Sequence, residues 1–187
     1  MHKCGQSLFA FVLKGFEDDI DSQIHFSDGP RSYKQLIKEP LQLTFPIEGK
    51  KRKIPDVNLH LGRLFLSKKS YEVLYPLLKN EGEFLPATYE KGDAYFFIPF
   101  RVAEDVGAIN KELSIENPWN NFDHLVFYEE KVKDWSLFRI KHNGYTTVYC
   151  QEPIKKAIEE NNLTGLYITT DLANIFPDDR SAVEKAN

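Results

Sequence analysis

Leu8 to Leu13 is an unbroken apolar run of strand length. Behind Asp28-Gly29-Pro30, the residues Tyr33, Leu36 and Ile37 fall at i, i+3 and i+4, which predicts a short helix over 32–38 ended by Pro40. Leu41 to Ile47 alternates apolar with other residues, as a strand with one buried face does, and Pro46 marks an edge or a strand end. From Ser67, a suitable N-cap, the spacing turns helical: Tyr71, Leu74, Leu77 and Leu78 form one apolar stripe. Pro76 is expected to kink or divide this helix, and Asn80-Glu81-Gly82 to stop it. Strands are predicted at Ala94–Phe100, Leu125–Tyr128, Ser136–Ile140 and Tyr145–Cys150. The last two read as a hairpin turned by His142-Asn143-Gly144, where Asn-Gly favours positive φ. Glu152-Pro153 opens a helix over 153–161 that buries Ile154, Ala157 and Ile158, and Thr164 to Thr169 returns as a strand. From Asp178 the chain is polar and expected to fray. Helices and strands do not alternate as stacked βαβ units would. The expectation is a single α+β domain over 1–187, a mainly antiparallel sheet with a few flanking helices.

Composition narrows the class. Of 187 residues, 42% are hydrophobic and 28% charged, which excludes a disordered tail and a membrane protein. Fourteen Phe and nine Tyr against one Met favour a rigid, strand-rich core. No stretch approaches the ~20 apolar residues of a membrane helix. Leu8 to Leu13 is too short for a signal-peptide core and lacks a small-residue cleavage site, so a cytoplasmic protein is expected. That compartment makes Cys4 and Cys150 two reduced thiols. With no C-x-x-C, no H-E-x-x-H and five scattered histidines, neither a metal nor a cofactor is expected.

The formal net charge of −4 argues against non-specific nucleic-acid binding. Its distribution says more. Gly15 to Pro30 carries Glu17, Asp18, Asp19, Asp21 and Asp28 with no Lys or Arg. Ile47 to Ser70 carries seven basic residues against Glu48 and Asp56. Set apart on the fold, the two segments would give the molecule a charge dipole.

Motifs for chemistry are few. Isolated glycines read as turn residues, and there is no phosphate loop and no G-x-S-x-G elbow. Asp123 and His124, with Glu129 and Glu130 a strand length away, are the best acid–base set. They read more simply as the start and the end of a strand. Cys150 could pair with His142 across the hairpin as a thiolate, or fill the core as a small apolar residue. Lys50 to Lys53 could contact phosphates but reads as a solvated loop. Trp135 reads as core. Trp119, in Asn117-Pro118-Trp119-Asn120-Asn121, is either an anchor for a protein partner or a lid over the sheet. Glu17, Asp18, Asp19 and Asp21 form an exposed loop suited to a basic partner.

Between about Leu59 and Phe176 five groups of residues follow one another in order. Leu64-Phe65-Leu66-Ser67 comes with Tyr71, Val73 and Leu74, and then Gly82-Glu83-Phe84-Leu85-Pro86. Tyr95-Phe96-Phe97-Ile98 comes with Ile109 and Ser114, and Phe138-Arg139-Ile140 with Val148-Tyr149-Cys150. Ile154, Ala157 and Ile158 precede Leu163-Thr164-Gly165-Leu166. In that order they resemble the eleventh immunity family of bacterial polymorphic-toxin systems, first catalogued as a domain of unknown function. They resemble, in turn, its strand, serine and first helix, its Gly-Glu-(apolar)-Leu-Pro turn, its strand ahead of an acidic region, its late hairpin, and its last helix and closing strand. Where that family carries aspartates ahead of Ser114, this chain has Gly107-Ala108-Ile109-Asn110. Residues 1–58 carry no resemblance. The resemblance implies a protein with no catalytic motif that neutralises a cognate toxin by contact. Many such toxins are nucleases with basic clefts, and neither nucleic acid nor membrane is an expected partner. A protein-binding adaptor and a small enzyme remain the alternatives.

Overall fold

The computed structural model describes residues 1–6, 12–13, 29–35, 37, 39–45 and 54–173. The chain opens on β1 (His2–Gln6), followed by β2 (Val12–Leu13) and β3 (Leu41–Thr44). β4 (Val57–His60) and β5 (Arg63–Ser67) pair across a Leu61-Gly62 turn. α1 (Lys68–Leu78) leads into the long hairpin of β6 (Gly82–Tyr89) and β7 (Gly92–Pro99). After a 3-10 turn at Ala103–Val106 come β8 (Ile115–Glu116), β9 (Phe122–His124) and the single turn α2 (Glu129–Val132). β10 (Leu137–Arg139), β11 (Val148–Cys150), α3 (Glu152–Glu160) and β12 (Leu166–Thr169) complete the described elements.

The fold is α+β, with two principal sheets. One runs β10-β11-β1-β12 and is antiparallel throughout. The other runs β2-β3-β6-β7-β5-β4, and only its β3–β6 pair is parallel. Strand β5 explains the layering. Leu64 and Leu66 point into a core shared by both sheets, α1 and α3, while Phe65 points into a second core with Tyr33, Leu43 and Phe96. A strand buried on both faces reads as a continuous apolar run, as Leu64-Phe65-Leu66 does. β10 and β11 divide likewise: Leu137, Val148 and Cys150 enter the first core, and Phe138 and Tyr149 a third with Phe127 and Ile140.

Asp56 joins the sheets at one corner. Its Oδ2 accepts from the Thr164 backbone N–H and hydroxyl, each at 3.1 Å. Its carbonyl accepts from the Ser70 hydroxyl at 2.6 Å and the Ser67 N–H at 2.8 Å, beside the Ser67 side chain that caps α1. Thr164 in turn accepts from Val57 N–H at 2.9 Å, through its carbonyl.

Several expectations are corrected. The segment predicted as a helix over 32–38 forms, in its described residues, one turn closed by Ile37 N–H to the Tyr33 carbonyl. Glu83, buried in β6, takes the Tyr33 N–H (2.7 Å) and the Ser32 hydroxyl (2.5 Å), so side-chain bonds hold this stretch. Pro76 does not divide α1, which runs unbroken from Lys68 to Leu78 and forgoes the one N–H bond that residue 76 would donate. Leu125 to Tyr128 is not a strand. Val126 N–H goes to the Ser114 hydroxyl at 3.0 Å, and Phe127 makes a lone bridge to Ile109. Arg63 of the basic stretch is fully buried. β10 and β11 pair as predicted, but eight residues connect them, and the positive φ falls on Gly144 and Tyr145. Lys50 to Lys53, Leu8 to Phe11 and the tail from Asp178 lie outside the described residues, as does most of the acidic stretch that would form one pole of the dipole.

Candidate functional site

Chain segment 108–128 folds into an irregular hairpin standing on the third core. Tyr128 N–H donates to the Ala108 carbonyl at 2.7 Å, and Asn110 N–H to the Val126 carbonyl at 2.9 Å. Asn110 is buried, and its Oδ1 accepts from the N–H groups of Glu112 and Leu113, each at 3.1 Å. Asparagine bonds its own backbone two or three residues on, and so fixes such a turn. Beyond it β8 pairs with β9, Ile115 opposite His124 and Glu116 opposite Phe122, with an irregular register between them.

The tip repeats the device. Asn117 Oδ1 accepts from Trp119 N–H at 3.0 Å and Asn121 N–H at 3.1 Å, while Asn117 Nδ2 donates to Asp123 at 2.8 Å. Asn120 takes a left-handed φ of 59°, a conformation asparagine tolerates better than most residues. His142 fastens the tip to the body. Its Nε2–H donates to the Asn120 carbonyl at 2.9 Å, and its ring lies 4.3 Å from that of Phe122. Its backbone N–H donates to Glu104 at 2.9 Å. The loop is thus tied down by polar bonds, yet the side chain at its apex has nothing to pack on: Trp119 is 80% exposed. Trp119 therefore does not cover the sheet as a lid.

No family model and no curated protein matches this chain.

Of the acid–base set, Asp123 accepts from Asn117, His124 is exposed on the hairpin, and Glu129 and Glu130 start α2. The His142 ring is engaged by Asn120 and Phe122, and Cys150 instead meets Cys4, Sγ to Sγ at 3.3 Å. Both thiols are buried and free. The Cys4 thiol is pushed well above its ordinary pKa, first by its bond to Cys150 and then by burial. A thiol so placed stays protonated and is a poor nucleophile. Alkylation in mildly alkaline buffer is expected to label neither cysteine in native protein and both after denaturation. Rapid native labelling, read by mass, would show that one of them is reachable and reopen the nucleophile reading.

Trp135 is half-buried, with Arg101 stacked 5.5 Å from its ring. Lys3 lines a cavity of about 300 Å³ with His142 and Tyr149, and burial lowers the pKa of its ammonium while Asp171 opposes the shift. Among the described residues, no group of His, Cys, Asp and Glu is placed to hold a metal, and no helix is long and apolar enough to cross a membrane. Glu17, Asp18, Asp19 and Asp21 lie outside the described residues, so of the five candidate partner residues only Trp119 is placed.

Two residues escaped the sequence reading. Leu113 is 59% and Ile115 58% exposed. In Lys111-Glu112-Leu113-Ser114-Ile115-Glu116 their alternation signals a half-buried strand, but the face they mark is turned outward. The available clue was the asparagine on each side, Asn110 and Asn117, both turn-forming.

Proposed function

We propose that this protein is an immunity protein, which binds a cognate secreted toxin and neutralises it by protein–protein contact. The observation that carries the reading is Trp119, held out to solvent on a loop whose backbone Asn117 and His142 already fix. Tryptophan is the side chain most enriched among residues that dominate interface energies. An anchor on a pre-ordered loop loses little further freedom on binding, so more of its contact energy appears as affinity. Occlusion of the toxin's working surface needs tight, specific binding and no reaction centre. The resemblance of residues 59–176 to an immunity family supplies the partner class.

Co-expression with the toxin gene that adjoins its own is the direct test. Cells carrying both genes are expected to survive, and the purified pair to elute as one complex in which the toxin is inactive. A complex that leaves the toxin active would indicate an adaptor. Death at the rate of toxin alone, with no complex, would overturn the reading.

A further inference from the structure

We infer that the toxin-facing surface is the 110–124 hairpin, with Trp119, Leu113 and Ile115 seated in an apolar depression of a basic protein. The inference rests on the immunity reading for the kind of partner, and on the following observations for the place. Six large hydrophobic side chains are exposed among the described residues, and the three most exposed fall between residues 113 and 119. Exposed apolar side chains gathered on one short hairpin mark an interaction site more than scattered single ones do. The backbone that carries them is fixed at both Asn110 and Asn117, so their positions are set before any partner arrives.

Charge selects the occupant. Between residues 104 and 134 stand eight carboxylates against three lysines, and all of them except the half-buried Glu104 are exposed. Glu112 and Glu116 bracket Leu113 and Ile115 along the chain. A second copy of this chain would bring the same acidic surround against itself, which like-charge repulsion disfavours. A basic protein face would be attracted at long range and would meet the apolar side chains at contact. The cleft beneath the hairpin is of mixed charge, about 560 Å³ between Glu104, Lys111, Glu116, Lys141 and His142, and can accept a polar rim from the partner.

The two parts of the surface have separable kinetic signatures. Trp119→Ala is expected to speed dissociation from the adjoining gene's toxin roughly 30-fold, with little change in association. Glu112→Lys with Glu116→Lys is expected to slow association several-fold at low salt and flatten its salt dependence. Glu116 stands 3.9 Å from His142 with its side chain 55% exposed, so the melting temperature is expected to hold. If wild-type protein binds the toxin and both variants keep its rates, this inference fails while the immunity reading stands. If wild-type protein does not bind the toxin at all, both fall. Sedimentation that shows self-association lost in Trp119→Ala would assign the hairpin to a second copy instead and overturn the inference.

Discussion

An Ile158→Asp variant is expected to be recovered unfolded or aggregated. Ile154 and Ile158 stand one helical turn apart on α3, 2% and 6% exposed, and enter the core that also holds Leu74 and Leu78 of α1. The substitution first removes apolar burial worth about 2–3 kcal/mol. It then places a carboxylate where its neighbours are hydrocarbon, which costs several kcal/mol more or forces the group to take up a proton. Together these approach the whole of a domain's stability, about 5–15 kcal/mol. Ile158→Val serves as the control: it removes one methylene and is expected to cost about 1 kcal/mol, a fall of a few degrees in melting temperature. Circular dichroism and thermal melting read both. A soluble Ile158→Asp protein melting with the wild type would mean that α3 does not pack on the sheets through this face.

α3 is the element most legible in the amino-acid order, because everything that makes it is local. Pro153 fits the first turn, Ile154, Ala157 and Ile158 share a face, and Asn161 stops it. α1 is legible for the same reason, down to its Ser67 cap. β1 is the opposite case. His2-Lys3-Cys4-Gly5 has no apolar alternation, yet it is a central strand, paired to β11 and β12 more than a hundred residues away. Burial of His2 and Lys3 there is made tolerable by distant partners: His2 meets Glu152 at 2.5 Å, and Lys3 reaches the Ala173 carbonyl at 3.4 Å. No window of sequence contains those partners. β6 was hidden by Gly82 and Pro86, residues that argue against strands. Pro86 is accommodated because pairing with β3 begins only at Ala87.

At the candidate site the same division holds. That residues 117–121 form a polar loop, and that Trp119 either anchors or covers, follows from residue type. How far the ring is exposed does not follow from residue type, because it depends on His142, 22 residues beyond Asn120, which ties the loop to the body and leaves Trp119 80% exposed. The acids at 17–21 are the densest negative stretch of the sequence. The acids of 104–134 are spread among apolar residues, so no single window of sequence is as dense, and that seven of the eight are exposed follows only from the fold.

Gly165→Ala is the second substitution expected to do large damage, and its cause is separable. Gly165 has φ of +109°, a region that side chains rarely enter. A Cβ built there would lie 2.0 Å from the Val57 carbonyl oxygen and 2.4 Å from Pro55 Cβ. Neither neighbour is a flexible side-chain end, and Val57 is itself bonded to Thr164, beside the Asp56 junction between the sheets. Relief therefore requires that junction to open. Backbone strain of about 1–3 kcal/mol adds to the loss of buried hydrogen bonds worth about 1–3 kcal/mol, which centres on about 4 kcal/mol in all. In a chain of this size that lowers the melting temperature by about 10–15 °C. Gly92→Ala isolates the first part. Its φ of +114° is nearly the same, but a Cβ there meets nothing within 4 Å. It is expected to cost only the strain, with melting lowered by a few degrees. If the two variants melt together, the contact between Gly165 and Val57 contributes nothing, and the corner held by Asp56 and Thr164 must be free to give way without loss.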